Sequence, residues 1–486
     1  MLKRVTGKKT IKMQDWMNLH LYSNTSYIDQ EYLDVANEIY STLRALCPAE
    51  YKNDLIKDIA LMSTAYLEDV VSDFGIWNSF GELNQKKYGR RLPFFDVDEG
   101  DYLKDNINLV DVKFIVWYVT QQAHSMQTED LMNPWGLNIN AIAIDIYTIF
   151  VDKFEDLPIN DCWAYLRDES KKYHQWYPFR EMCKAFFYSN YLFIYQSRRA
   201  KSELSKSINK GANHRLEYLL VEATTFNVKV GPVDEYVYQW LAKMFDDKKL
   251  SSALENMQSR FSNYFQIVDK TEDGYLFIDR DDDSEYMVAQ ESIILKKWSA
   301  DEYYFTHLVL FDGKWYLNGA LGNSTGKNIE QDIEQRKATR ENARINYSTF
   351  LEDNGRPIFF FKTFDEVIAF FSKNTDKFDA SGCAKEFLEG DYYVVFAHPK
   401  IGIAIYPNIA LLIKHKENPY YKKSEAERMS LALLCGSIIK DKYLIEYLAT
   451  NKLLPDARLE SIQMRAVNCR KVVQENLLYI AKLFQK

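Results

Sequence analysis

The sequence contains no apolar run approaching the ~20 residues that a membrane-spanning helix requires. Its most apolar stretch, AIAIDIYTIFVDKF (141–154), is broken by Asp145 and Asp152 and reads as an amphipathic helix. The opening MLKRVTGKKTIKMQDW is basic but lacks the apolar centre of a secretory leader, so none is expected. Cysteine is sparse: six residues (47, 162, 183, 383, 435 and 469), with no CxxC among them. That spacing reads as buried free thiols in a reducing compartment, and a cytoplasmic protein is the expectation. No two of the seven histidines stand three or four apart, and HExxH, GxSxG and the kinase motif set are missing. Neither a metal nor a cofactor is therefore expected, and no catalytic residue is named; a site assembled from distant residues leaves no trace in local spacing. Positive charge is also short. The formal net charge is −8, so nothing global attracts nucleic acid or an anionic membrane.

Two stretches carry part of a motif and fail the rest. DGKWYLNGALGNSTGKN (312–328) sets a glycine-rich loop between a strand-like run and a helical one. A phosphate-binding loop ending at Gly326-Lys327 needs glycine at 321 and a hydroxyl at 328, where Leu321 and Asn328 stand. The stretch reads as the exit from a small β domain, with Asn328 as a helix N-cap. In DRDDDSE, Asp279, Asp281 and Asp283 have the opening spacing of an EF-hand, but its sixth and twelfth positions hold Ser284 and Gln290. An acidic hairpin tip is the better reading.

Aromatic residues are plentiful, 15% of the chain, with 34 Tyr and 29 Phe, and serve chiefly as core. At 486 residues the soft prior is ~3 domains. From about 28 to 258 the periodicity is helical. Ile28, Leu33, Val35, Ala36, Ile39, Tyr40, Leu43 and Leu46 trace one face, and Leu55, Ile59, Met62, Tyr66 and Val70 another. PFREMCKAFFYSNYLFIY (178–195) reads as a central buried helix, and Ser252 with Glu255 as a capping box. Near residue 262 the period changes to 2, and about five short strands divided by TEDG, DRDDDS and Asp312-Gly313 suggest a small barrel. Residues 328–355 read as a polar connector helix. Beyond it come two more capping boxes (Thr363 with Glu366, Ser424 with Glu427), a hairpin over 392–407 and a helix terminator at Gly436. A final amphipathic stripe runs through Leu459, Ile462, Ala466, Cys469, Val473, Leu477, Ile480 and Phe484.

The barrel region, 261–322, carries twelve acidic and five basic residues. A module that grips phosphate backbones should have the opposite sign, so nucleic acid is not expected on this face. The better basic patch is KKYGRR (86–91), which LPFFDVDEGD answers at once with acid.

Four phrases, KKYGRRLPFFD, FDGKWYLNGAL, GIAIYPNIALLIKHKENPYY and NKLLPDAR, occur in an order that resembles an uncharacterised family of Bacteroidota proteins, a domain of unknown function occupying nearly the whole chain. The middle module is similar to barrels appended to other bacterial proteins, some with small zinc-binding tails. This sequence has no such Cys/His tail, so nothing about zinc carries over. The resemblance implies a cytoplasmic bacterial origin and supplies no catalytic residue.

The expected architecture is α+β and predominantly helical. It has a helical domain over 1–258, a small acidic β-barrel (SH3-like or OB-like) over 259–325, and a connector helix with a C-terminal α+β domain over 326–486. The function that fits the absences is a non-catalytic cytoplasmic interaction protein whose partner is a protein, with no membrane involved. Trp315, Tyr316 and Asn318, leaving the barrel near its mouth, are the candidate binding residues; the same alternation suits plain strand residues packing in and out. An RNA- or ribosome-associated protein would instead need Lys86, Lys87, Arg90, Arg91, Arg198 and Arg199 on one surface. An enzyme with its site at a domain junction would need a buried carboxylate beside His398 or His124 in a deep pocket.

Overall fold

The computed structural model describes residues 11–484 apart from 48–50, 98–99, 101, 126–129, 162–169, 209–223, 246, 294–296, 325–327, 373–387 and 455–472. The fold is α+β and predominantly helical, with a closed barrel in the middle of the chain. Two compact units result, one of residues 1–127 and 134–326, the other of 128–133 and 327–486.

The first unit opens with α1 (Met13–Met17), α2 (Tyr27–Leu46) and α3 (Asn53–Val71). Ser26 and Asp29 exchange capping bonds at the start of α2. Of the expected α2 stripe, Leu33 to Leu43 is buried, whereas Leu46 is exposed at the helix end. α3 is buried on every side from Ile59 to Asp69, which places two carboxylates, Glu68 and Asp69, in the core. Around it lie α4 (Ile76–Tyr88), α5 (Leu109–Ser125) and α6 (Leu137–Lys153). The abundant aromatics are mortar here: Tyr66 against Trp77 at 5.0 Å, Trp77 against Phe80 at 5.1 Å, Phe80 against Phe114 at 5.1 Å. Each buried ring of this kind contributes on the order of 2–3 kcal/mol.

The helix expected over 178–195 is two elements. α7 (Trp176–Ser189) stops at Asn190, whose side chain accepts the Leu192 N–H at 2.8 Å, and α8 (Ile194–Ile208) comes next. A two-residue hairpin, β1 (Lys229–Val230) with β2 (Glu235–Tyr236), leads to α9 (Val237–Met244) and α10 (Lys248–Glu255). Ser252 therefore lies inside α10 rather than at its start. Asp247 caps it instead, accepting from Lys249 and Leu250 N–H at 3.0 Å each.

The barrel begins at Gln258, four residues before the change of period. Its strands are β3 (Gln258–Lys270), β4 (Gly274–Asp279), β5 (Glu285–Ala289), β6 (Tyr303–Phe311) and β7 (Lys314–Leu317), with β8 (Gly322–Ser324) added beside β6. β3 bends through two register shifts, between Ser262 and Phe265 and between Ile267 and Asp269, so one strand pairs with both β6 and β4. The ring closes where β5 and β7 pair in parallel at Val288 and Trp315. Asp312 and Gly313, both with φ > 0, form the β6–β7 turn. Inside are Phe265, Ile267, Phe277, Val288 and Leu308. The 279–285 stretch is the acidic hairpin tip, but its first acid is not exposed: Asp279 is fully buried, paired with Arg260 and accepting from Ser262 Oγ at 2.9 Å.

In the second unit α11 (Ile329–Asn354) begins at Asn328, whose side chain makes no capping bond. It is more than a connector. It lies along an antiparallel sheet of β9 (Ile358–Phe361), β10 (Tyr393–His398) and β11 (Gly402–Tyr406), in the order β11-β10-β9, and Phe350 enters the core with Tyr393 and Val395. α12 (Phe364–Ser372), α13 (Lys423–Leu434), α14 (Lys442–Thr450) and α15 (Leu477–Phe484) complete it. Ser424 sits within the first turn of α13, not at its cap; Gly436 stands just past the helix with φ 81°, as expected of a terminator. Leu459, Ile462, Ala466 and Cys469 of the final stripe lie outside the described residues; Val473, Leu477 and Ile480 are buried. Among the described residues no helix is long and apolar enough to cross a membrane.

Gly274 opens β4 with φ 156°, and a Cβ there would stand 2.0 Å from the Val288 carbonyl oxygen across the ladder. Gly274→Ala is therefore expected to destabilise the barrel by more than about 1 kcal/mol, read as a lower urea midpoint for the Trp315 environment. An unchanged midpoint would refute the close approach.

Candidate functional site

The KKYGRR stretch lies on the wall of a cleft of ≈860 Å³ in the first unit, lined by Gly81, Lys86, Arg91, Phe95, Tyr102 and Lys104, among others. What builds it is local. α4 runs between two left-handed glycines, Gly75 (φ 85°) and Gly89 (φ 77°), and the second turns the chain back along the helix. Asn84 holds the returning strand by donating to the Arg90 carbonyl at 2.7 Å. Arg91 then lies across Gly81, where a Cβ would come within 2.8 Å of Cζ. It donates to Asn78 Oδ1 at 2.7 Å and covers the Tyr102 ring at 4.7 Å. Phe94, with φ 66° and fully buried, packs edge-on to Trp117 at 4.8 Å. So bulky a side chain in the left-handed region is strained, and it directly precedes Phe95 of the cleft lining.

The charges divide into used and unused. Lys87 is spent on Glu235 (2.8 Å) and the carbonyls of Val233 (3.2 Å) and Asp234 (2.7 Å), tying α4 to the β1–β2 hairpin. Arg90 pairs with Asp96 at 2.6 Å. Among the described residues no carboxylate lies within ion-pair distance of Lys86, Arg91 or Lys104. Lys86 and Lys104 are exposed and Arg91 is half-buried.

Behind Tyr102 stands a buried acid. Asp111 accepts from the hydroxyls of Tyr66 (2.8 Å) and Tyr102 (3.0 Å) and from Asn108 Nδ2 (3.3 Å). Burial pushes it up to about 6 against those donors. Asp69 accepts from the backbone N–H of Ile76 (3.1 Å) and Trp77 (2.6 Å) and from the Tyr191 hydroxyl (2.9 Å), and burial pushes it up to about 7. Both carboxylates are bonded on each oxygen. They serve the fold.

A second cavity, ≈770 Å³, is bordered by His20 and Tyr22. His20 Nε2 meets Glu68 Oε2 at 2.7 Å and Nδ1 meets the Trp16 carbonyl at 2.9 Å. Burial disfavours the imidazolium, but the charge and hydrogen bond of Glu68 outweigh it and raise the histidine. Asn160 donates to Glu68 Oε1 at 2.7 Å and to the Tyr22 hydroxyl at 2.6 Å, which donates to Asp29 at 2.8 Å. With both ring nitrogens engaged, His20 has no lone pair to offer a molecule in the cavity.

The residues singled out in the barrel are engaged within the first unit. Asn318 is fully buried: Arg180 of α7 donates to its Oδ1 at 2.8 Å, and its Nδ2 meets His307 Nδ1 at 2.8 Å. Burial depresses His307 to about 3, so it is neutral. Tyr316 stacks on Trp176 at 5.6 Å, and Trp315 meets Tyr286 edge-on at 4.6 Å. Tyr316 and Asn318 thus attach the barrel to α7, while Trp315 packs within the barrel itself. Of the basic residues, Lys86, Arg90 and Arg91 share the cleft, Arg198 is bidentate to Asp58 (2.6 and 2.9 Å), and Arg199 is exposed. His398 ends β10, stacked on Tyr443 at 4.4 Å, and burial lowers its pKa despite Asp441. His124 lies in the last turn of α5, half-buried. Among the described residues no group of three His, Cys, Asp or Glu could hold a metal ion. The buried acids and His20 escape sequence reasoning because their partners lie far along the chain, Tyr191 122 residues from Asp69 and Glu68 48 residues from His20. Only the Ser26–Asp29 spacing is a readable signal.

For Asp111 the folded pKa lies above the unfolded value near 3.9. Its contribution is thus fully present below that value and is lost as pH rises through about 6. The stability of Asp111→Asn relative to the natural chain should shift in the variant's favour by roughly 2 kcal/mol between pH 4 and 7. A pH-independent difference in denaturant unfolding would contradict the buried, proton-holding carboxylate.

No curated protein and no solved structure matches this chain. One family model does, over residues 10–282 and 317–486. The match includes the whole α4 cleft and passes over 283–316, which hold β5, β6 and all but the last residue of β7. On that coverage the chain belongs to the family described as "Protein of unknown function (DUF3843)".

Proposed function

We propose that this is a cytoplasmic, non-catalytic interaction protein, and that a protein partner docks at the cleft beside α4. The observation that carries this reading is the contrast in how its polar groups are used. The groups suited to acid–base work, His20, Asp69 and Asp111, have their lone pairs and protons committed inside the fold. The cleft instead offers Lys86, Arg91 and Lys104, none of which has a carboxylate within ion-pair distance among the described residues, although the charge of Arg91 is felt by the buried Asp111. Among the described residues, the free thiols of Cys47 and Cys183 accord with a reducing compartment. The cleft takes precedence over the barrel mouth for two reasons. Trp315, Tyr316 and Asn318 are engaged within the molecule, and the first two fall in the stretch that the family model passes over.

A photo-crosslinking amino acid at Gln85, exposed on the cleft rim, tests this in the cell of origin, with the same group at Lys314 on the barrel as comparison. The expected result is a discrete protein adduct from position 85 and none from 314. Adducts from 314 alone would move the site to the barrel, and none from either would overturn the reading.

A further inference from the structure

We infer that the cleft beside α4 recognises an acidic peptide segment of the partner, gripping its carboxylates with Lys86, Arg91 and Lys104. The inference rests on the proposed reading and adds the chemistry of what is bound.

Three observations converge. The protein is acidic overall, yet the described residues lining this cleft bring together Lys86, Arg90, Arg91 and Lys104 against Glu82 and Asp96. Asp96 answers Arg90, and Glu82 reaches Lys243 at 3.8 Å, so the acids on the wall are occupied elsewhere than on the three remaining cations. Lys86, in the last turn of α4, gains something from the negative end of the helix dipole. Arg91 and Lys104 lie outside the helix and have no such reason to be there.

The second observation is that Arg91 is built in rather than merely present. A glycine clears its path, an asparagine fixes one end of the fork, and an aromatic ring supports its face. A guanidinium so held loses little freedom on binding, and its planar fork matches a carboxylate. Phe95, buried beside it, adds an apolar floor for the peptide chain.

The third observation separates a peptide from nucleic acid. A phosphate backbone calls for cations continuing across the surface, but Lys87, next to Lys86 in the chain, is consumed by Glu235 and Arg90 by Asp96. Three cations spread along a cleft of this volume suit a few successive side chains of an extended segment.

The test is fluorescence anisotropy with labelled hexaglutamate and the full-length protein. Saturable binding is expected, weakened at least tenfold in the double variant Lys86→Glu, Lys104→Glu, whose positions are exposed and whose fold should be intact by circular dichroism. Arg91→Gln should weaken it further, with partial rescue by Arg91→Lys, while Lys314→Glu on the barrel should leave it unchanged. No binding, or equal binding by the double variant, would overturn the inference. So would displacement at the same site by equimolar citrate, which would assign the cleft to a free polycarboxylate, or tighter binding of hexauridylate, which would assign it to RNA. A protein adduct at position 85 without hexaglutamate binding would sink the acidic specificity alone. Hexaglutamate binding without any adduct would sink the protein-partner reading and leave the carboxylate site.

Discussion

The first unit depends on one carboxylate. Asp69, buried on α3, accepts the first two amide protons of α4 and so takes the role that a residue of α4 itself would ordinarily fill. Gly75 precedes the helix and has no side chain to offer. The start of α4 is thereby fixed to the core helix, and chain length settles the rest: thirteen helical residues lead to Gly89, which reverses direction and delivers Arg91 back onto the helix surface at Gly81. Tyr102 completes the wall from the next segment, held from behind by the buried Asp111. The whole arrangement of cations is a consequence of where α4 begins.

Burying that acid has a cost, and the structure distributes it. Asp69 and Asp111 each retain an elevated proton affinity because hydrogen bonds replace only part of their lost hydration. The Tyr66 hydroxyl stands between the two systems, donating to Asp111 from a position one turn before Asp69 on the same helix. The aromatic richness thus has a second use beyond apolar area, since phenols supply hydrogen-bond donors to carboxylates deep in the core.

Much of the fold is legible where the pattern is local. Alternation marks the barrel strands and the 392–407 hairpin, and Asp312-Gly313 marks the β6–β7 turn of the barrel. The Thr363 box forms with one substitution, Glu366 accepting from Lys362 N–H at 2.7 Å instead of from Thr363. Ser252 and Ser424 fail as caps because each helix starts earlier, at residue 248 after the competing Asp247 and at 423. The exposed Leu46 shows periodicity outlasting the contacts it points to. The site is legible only as a basic hexapeptide, because the features that make it a cleft (Gly81, Tyr102 and, among the described residues, no carboxylate within ion-pair distance of Lys86, Arg91 or Lys104) are relations between segments. Trp315, Tyr316 and Asn318 stand out in the sequence by their chemistry, and that chemistry is engaged inside the molecule.

The double pairing of β3 bears on the order of events as the chain is made. β3 cannot close the ring until β6 has been synthesised, some tens of residues later, a delay of several seconds at ~5–20 residues per second. Until then Phe179 and Trp176 of α7 lack the Phe311 surface they pack on, and Arg180 lacks Asn318. The helical part therefore spends part of its biogenesis with an apolar, cationic face uncovered. The acidic barrel is the portion of the same chain that arrives to cover it.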